Sequence, residues 1–318
     1  MVVPRGIRVK QAYRISGLLA IFAYSLCSAT AQAGHQGLPR PDHVVVVVME
    51  NHGYSSIVES PHAPFTNSLV ARGALFTQSY GVTHPSQPNY LALFSGSVQG
   101  VEGNTCPHRF TTPNLGAVLL QAGLSFAGYA EDLPETGSTV CVTGPYVRKH
   151  NPWVNWQHSG PFGLPGSVNQ PFSGFPSDYS QLPTVSFVIP NGANDMHDGS
   201  DPERIRRGDA WLRTHLSDYV EWAHTHNSLL VLTWDEDDGQ EGNRIPTILV
   251  GPMVRPSRSS QRITHLNVLR TLENLYGLPQ TLVAPDIQPM QDVWTSGPAP
   301  AHPSVCAGQD GRTPRPSK

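Results

Sequence analysis

HVVVVVMEN, residues His43 to Asn51, is the stretch that decides the fold. Five consecutive valines are stiff at χ1 and favour an extended backbone. A strand with one wet face alternates apolar and polar residues, whereas an unbroken apolar run belongs to a strand covered on both faces. Outward from this stretch the same kind of run recurs at Thr184 to Ile189, Leu229 to Thr233 and Thr247 to Val250, with shorter strand candidates at Leu75 to Gln78 and Ser125 to Tyr129. Between them, Pro64 to Ala71, Asn114 to Ala122, Pro202 to His226 and Asn267 to Tyr276 space their apolar residues as helices do, with Asn114 and Asp201 as expected caps and Gly277 as a stop. Strand and helix alternate along the chain. The expectation is an α/β fold, a three-layer α/β/α sandwich around a mostly parallel central sheet.

Composition narrows the classes. Of 318 residues only 14% are charged, while 29 are glycine and 30 proline, which excludes a coiled coil or helical repeat and predicts many loops. Arg5, Arg8, Lys10 and Arg14 precede an apolar run from Ile15 to Cys27, and Ala31-Gln32-Ala33 offers small residues for a signal peptidase. Residues 1–33 therefore read as a signal peptide, and the protein as exported, secreted or periplasmic. Removing that leader leaves 17 basic against 24 acidic residues, a net −7, which argues against a nucleic-acid partner. No apolar run beyond it is long enough to span a membrane. Residues 34–295 then form one domain, and 296–318 a disordered tail rich in Pro, Gly and Ser. In an oxidising compartment Cys106 is expected to pair with Cys141, 35 residues away, leaving Cys306 in the tail. Residues 144–183, dense in Pro, Gly, Trp and Phe, are too long for a passive connection and read as a loop excursion near a site.

In an open α/β sheet, ligands bind beyond the carboxyl ends of the strands. The strand at 43–49 ends in Glu50-Asn51-His52, and that at 229–233 runs into Asp235-Glu236-Asp237-Asp238. Acids converging there repel unless protonated or bridged by a cation, and oxygen donors of this kind suit a hard or borderline divalent metal. Ser86 follows a third strand and precedes an apolar run; it reads either as a helix N-cap or as a hydroxyl held at a helix N-terminus that can bind an anion. His197, flanked by Asp195 and Asp198, follows a fourth strand and suits proton exchange near neutral pH. Lys149 and His150 read as a solvated basic pair or as anion contacts, His265 as a packed helix start or a site residue, and Glu131 and Asp132 are equally open.

Taken in order, these stretches resemble a known family. They are Met49-Glu50-Asn51, Thr83 to Tyr90 (THPSQPNY), Gly128 to Pro134 (GYAEDLP), Lys149 to Pro152 (KHNP), Asn194 to Asp198 (NDMHD), Thr233 to Gly239 (TWDEDDG) and Thr264 to Leu278. The set is similar to the phosphoesterase family, which joins phospholipase C enzymes with metal-dependent acid phosphatases inside the alkaline-phosphatase-like superfamily. In length it is closest to the short secreted bacterial acid phosphatases, the mycobacterial phosphoinositide phosphatase type among them. The resemblance implies an alkaline-phosphatase-like fold and a divalent metal, Ca, Mg, Mn, Fe or Zn, held by Glu50, Asn51, Asp235 and Glu236. It implies Ser86 as nucleophile, His84 and His197 on the phosphoryl oxygens, and Lys149, His150, Asp198 and His265 as further substrate contacts. The substrate would be a small-molecule or lipid phosphoester. Phosphomonoester hydrolysis through a phosphoserine is the first reading, since the C-terminal extension of the phospholipases is missing. A phospholipase C-type diesterase and a non-catalytic secreted binding protein are the alternatives.

Overall fold

The valines of the deciding stretch lie in the middle of the sheet. The structure, a computed structural model, describes residues 38–282 and 284–295. The expected leader, the expected tail, Cys27 and Cys306 lie outside them. Strands are β1 (His43–Met49), β2 (Ala74–Tyr80), β3 (Phe126–Ala130), β4 (Val142–Thr143), β5 (Tyr146–Val147), β6 (Asn169–Pro171), β7 (Val185–Ile189), β8 (Ser228–Trp234), β9 (Arg244–Val250) and β10 (Ser257–Thr264). Helices are α1 (Tyr54–Ile57), α2 (Pro64–Arg72), α3 (Ser86–Ser95), α4 (Leu115–Gln121), α5 (Glu203–Ala223) and α6 (His265–Tyr276). Eight strands make one sheet in the order β10-β2-β9-β8-β1-β7-β3-β6. Its pairings are parallel except those of β9, which runs against both β2 and β8.

The layers explain the valine run. Val44, Val46 and Val48 pack with α3, α4 and α6 on one face. Val45, Val47 and Met49 pack with α2 and α5 on the other. Both faces of β1 are covered, so no position along it has water to face, and burying each valine stabilises the fold by roughly 1.5–3 kcal/mol. No helix among the described residues is long and apolar enough to cross a membrane.

Several local expectations meet different outcomes. Asn114 does cap α4, accepting from the Ala117 amide at 2.9 Å. Asp201 does not cap α5: Pro202 occupies the cap position without a side-chain bond, and the Asp201 carboxylate is taken by His52 and Arg204. β10 was not legible because it is an edge strand, SRSSQRIT, whose outward residues are polar. The 144–183 excursion is ordered rather than loose, built from the β4–β5 hairpin, short 3-10 turns and β6. It is anchored by Trp153 and Trp156, which are almost wholly buried. Cys106 and Cys141 are bonded, Cα to Cα 5.9 Å, and staple the start of the excursion to the loop after α3.

The Trp153 anchor requires a glycine. A Cβ on Gly128, in β3, would lie 2.2 Å from the Trp153 ring, whose Nε1 donates to Asn169 Oδ1 at 2.8 Å. Gly128→Ala is therefore expected to lower unfolding stability by about 1–3 kcal/mol through overpacking. Chemical denaturation measures it; an unchanged midpoint would show that the ring can move aside.

Candidate active site

Register places the first acids. β1 and β8 are parallel, with Met49 opposite Trp234, so the next residues, Glu50 and Asp235, emerge side by side. The Asp235 amide donates to Met49 O at 2.9 Å and the Glu50 amide to Asp195 O at 2.8 Å, bringing the end of β7 into the same rim. Asn51 then turns the chain with φ 48°, a left-handed conformation that asparagine tolerates. Its amide donates to Asp235 Oδ1 at 3.0 Å. From β2 the chain reaches α3 through a loop that Asn89 ties down. Its Oδ1 accepts from Val82 and Thr83 amides at 2.7 and 3.1 Å, and its Nδ2 donates to Thr83 O at 2.7 Å. Ser86 is thereby fixed at the first turn of α3, pointing at the acids.

There Ser86 Oγ lies 3.0 Å from Glu50 Oε2 and 3.1 Å from Glu236 Oε1. One hydroxyl proton cannot serve both acceptors at once. Asn51 Nδ2 also donates to Glu236 Oε1, at 3.0 Å. One turn along α3, Tyr90 OH donates to Glu50 Oε1 at 2.6 Å. His150 Nε2 approaches that oxygen to 3.0 Å, and its Nδ1 lies 3.3 Å from Asp195 Oδ2. His84 Nδ1 lies 2.7 Å from Glu236 Oε2 and its Nε2 3.2 Å from Asp237 Oδ1. Glu50, Asp195, Asp235 and His150 are buried to the last few per cent.

Burial shapes the charges. It acts to raise the Glu50 carboxyl, but the His150 charge and hydrogen bond outweigh it and hold Glu50 down at about 2. Burial likewise acts to lower His150, and Glu50 and Asp195 together lift it to about 8. Asp235 has no such partner: burial, then the charges of Glu50 and Glu236, push it well above the carboxylate range. Burial also raises Glu236 and Asp195. These acids are crowded beyond what His150 neutralises.

Two oxygens of the rim stay outside this network of bonds. Asn51 Oδ1 and Asp235 Oδ2 are buried with no hydrogen-bond partner among the described residues, and a buried acceptor left bare costs about 1–3 kcal/mol. No group of three or more His, Cys, Asp or Glu stands in ready ligating geometry among those residues. The chemistry of the donor set nevertheless fits a divalent cation, since unused oxygens and repelling carboxylates meet at one point.

Comparison with known proteins bears on this rim. The phosphoesterase family model matches residues 57–279. A phosphatidylinositol-3-phosphatase of Mycobacterium tuberculosis is 50% identical over 293 residues, 89% of this chain and 95% of its own length. The chain belongs to the phosphoesterase family. It is also 30% identical to an acid phosphatase of Aspergillus niger, over 74% of this chain and 58% of that protein. Among solved structures, a Vibrio parahaemolyticus protein of the alkaline phosphatase superfamily aligns with TM-score 0.57 at 16% identity, covering 80% of this chain and 70% of that one. It shares the fold, as expected from the residues. The protein is a phosphatase-class hydrolase.

Within this phosphoesterase the expected residues fall into three groups. Glu50, Asn51, Ser86, Asp235, Glu236 and His84 stand together around Ser86 Oγ. His150 joins them from the excursion, stacked on Tyr90 with ring centroids 5.1 Å apart, and Lys149 beside it lowers Glu50 further. His197 lies farther out, its ring 6.4 Å from that of His150 and its Nδ1 2.7 Å from Asp198 Oδ1, both side chains partly exposed at the mouth. Glu131 is bound away from the rim, accepting from the Asn191 amide, Asn194 Nδ2 and Trp211 Nε1, so it orders the 191–198 loop. Asp132 accepts from Asn191 Nδ2 and does the same.

Four residues carry more than the sequence reading assigned them: Tyr90, Asp195, Asp237 and His52. Tyr90 was readable as the i+4 neighbour of Ser86 on one helix. His52 is fully buried, with Nδ1 2.9 Å from Glu50 O and Nε2 3.0 Å from Asp201 Oδ1. Arg204 binds Asp201 and donates to His197 O at 3.1 Å, so the end of β1 is linked to the loop bearing His197.

His265 sits beneath the rim rather than on it. It is buried, its Nε2 donates to Asp235 O at 2.6 Å, and burial lowers its pKa from 6.5 to about 4. A folded-state value below the unfolded one means that its contribution is full above pH 6.5 and is lost as pH falls through about 4. His265→Gln keeps a donor but cannot titrate. Relative to it, the parent should lose up to about 3 kcal/mol more stability on going from pH 7 to pH 4. Urea melts at the two pH values measure this; parallel losses would exclude His265 as the source.

Proposed function

We propose that this phosphoesterase is an exported, metal-dependent acid phosphatase that hydrolyses phosphomonoesters through a phosphoserine on Ser86. The observation that carries the reading is Ser86 Oγ, fixed at the start of α3 and within 3.0–3.1 Å of Glu50 and Glu236. Glu50, Asn51, Asp235, Glu236 and the Ser86 hydroxyl would hold a divalent cation. When bound, it would supply positive charge that favours the serine alkoxide and offsets charge on the phosphoryl oxygens.

The chain's own groups do the rest. Ser86 Oγ gives its proton to a neighbouring carboxylate and attacks phosphorus; the ester P–O bond breaks in line and the leaving oxygen takes that proton from the carboxylate. Water then gives a proton to the same carboxylate and attacks the phosphoserine, the P–Oγ bond breaks, and Oγ takes that proton as phosphate leaves. His84 beside Glu236 and His197 at the mouth donate to the non-bridging oxygens, where charge must be met by positioned donors. His150, between Glu50 and Asp195, keeps the buried acids from repelling one another. Lys149, next to His150 in the chain, and Asp198, bonded to His197, would meet the alcohol portion of the ester. The 50% identical relative is named for phosphatidylinositol 3-phosphate, which supports a phosphoinositide monoester as the substrate. The leader-like residues 1–33 and the Cys106–Cys141 disulfide support export to an oxidising compartment.

Purified protein should hydrolyse p-nitrophenyl phosphate faster than its phosphorylcholine diester. Ser86→Ala should lower kcat by at least ~10³-fold with its fold retained. Robust turnover by that variant would remove the nucleophile assignment, and preference for the diester would turn the reading toward a phospholipase C. Chelation by EDTA should abolish activity, and readdition of one divalent cation should restore it; activity indifferent to both would refute the metal.

A further inference from the structure

Away from the Ser86 rim, a cleft of about 430 Å³ is lined by His108, Arg109, Thr139, Arg148, Asn155 and His158 among others. No acid among the described residues lines it, in a chain whose acids outnumber its bases 24 to 21. Arg148 is only 5% exposed. It donates to Thr139 O at 2.9 Å, His108 O at 3.0 Å and Asn155 Oδ1 at 3.1 Å, all uncharged. Its Nε is buried with no hydrogen-bond partner, and no carboxylate pairs with it among the described residues. Burial accordingly pushes the guanidinium below the ordinary arginine range.

A buried cation without a counter-charge is costly in a structural role. Packing alone would be served as well by an apolar side chain. Arg109, exposed in the lining of the cleft, donates to His158 O at 2.8 Å and adds a second guanidinium, with no carboxylate partner among the described residues. The Cys106–Cys141 bond joins the segments that contribute Pro107 to Arg109 on one wall and Thr139 on the other. The cleft is thus a built cationic recess, covalently braced.

We propose that this cleft is a second anion site, taking a phosphate-type oxyanion between Arg148 and Arg109. Arg109 keeps a planar fork that can give two parallel hydrogen bonds to an oxyanion, while Arg148, whose Nη2 hydrogens already go to His108 O and Asn155 Oδ1, adds its charge and a remaining Nη1 hydrogen. The site would communicate with the catalytic rim through one short turn, since Arg148 and His150 belong to the same 3-10 segment, Arg148–His150, and His150 touches Glu50. The anion has two sources with the same chemistry: a second phosphate on a multiply phosphorylated substrate, or free inorganic phosphate.

Calorimetric titration of the metal-loaded protein with inorganic phosphate tests binding without turnover, so a failure of the phosphatase reading leaves this result interpretable. Arg109→Ala, at an exposed position, and Arg148→Met should each bind one equivalent fewer than the parent, or bind it about tenfold or more weakly. Isotherms of Arg109→Ala that match the parent would overturn the proposal, whether or not Arg148→Met folds. The source arm rests on the function proposed above. If Arg109→Ala raises KM for an inositol bisphosphate but not for p-nitrophenyl phosphate, the occupant is the substrate's second phosphate. If it instead removes an effect of added phosphate on p-nitrophenyl phosphate turnover, the occupant is free phosphate.

Discussion

The site depends on the parallel pairing of β1 with β8. With Met49 opposite Trp234, Glu50 and Asp235 have no choice but to leave the sheet together. A slip of one residue would turn the valines of β1 to the opposite faces and carry Glu50 out of the rim. The pairing cannot slip, because both faces of β1 are packed and alternate valines are committed to different layers. The hydrophobic core therefore brings two carboxylates to one rim, a juxtaposition that electrostatics alone would oppose.

Much of the surrounding structure can be understood as accommodating that juxtaposition. His150 brings a positive ring to Glu50 and Asp195, His84 faces Glu236 and Asp237, and Tyr90 and Ser86 give hydroxyl protons to Glu50. These donors arrive from two separate segments, His84 to Tyr90 and Arg148 to His150, so the set cannot be built without the tertiary fold. The excursion after the β4–β5 hairpin exists in part to deliver one of them. Its anchor is Trp153 lying on Gly128 of β3, which is how a glycine in a strand comes to govern a histidine in the site.

The sheet and the first ring of acids were legible in the residues because both follow from one rule. Strands buried on two faces announce themselves as apolar runs, and in a parallel sheet their ends share an edge. What was not legible depended on three dimensions. β10 hides because an edge strand needs few apolar residues. β9 runs antiparallel although its sequence, RIPTILV, is as apolar as its parallel neighbours, since direction is set by connection length and not by composition. Asp201 looked like a helix cap, yet its carboxylate is claimed by His52, 149 residues earlier. His150 looked like half of a solvated basic pair; nothing in KHNP says that the chain will bury it against Glu50.

The scarcity of charge takes on meaning once positions are known. With 14% charged residues, most surface needs could be met by polar and apolar side chains, so charges that are buried or unpaired stand out. The acids around Ser86 and the guanidiniums of Arg148 and Arg109 are two such departures, of opposite sign. Arg148 and His150, the residue that touches Glu50, stand at the two ends of one short turn. A loop serving only to close the core would need neither buried histidine nor buried arginine. This loop buries both, His150 against Glu50 and Arg148 in the wall of the cleft, so closing the core does not account for it.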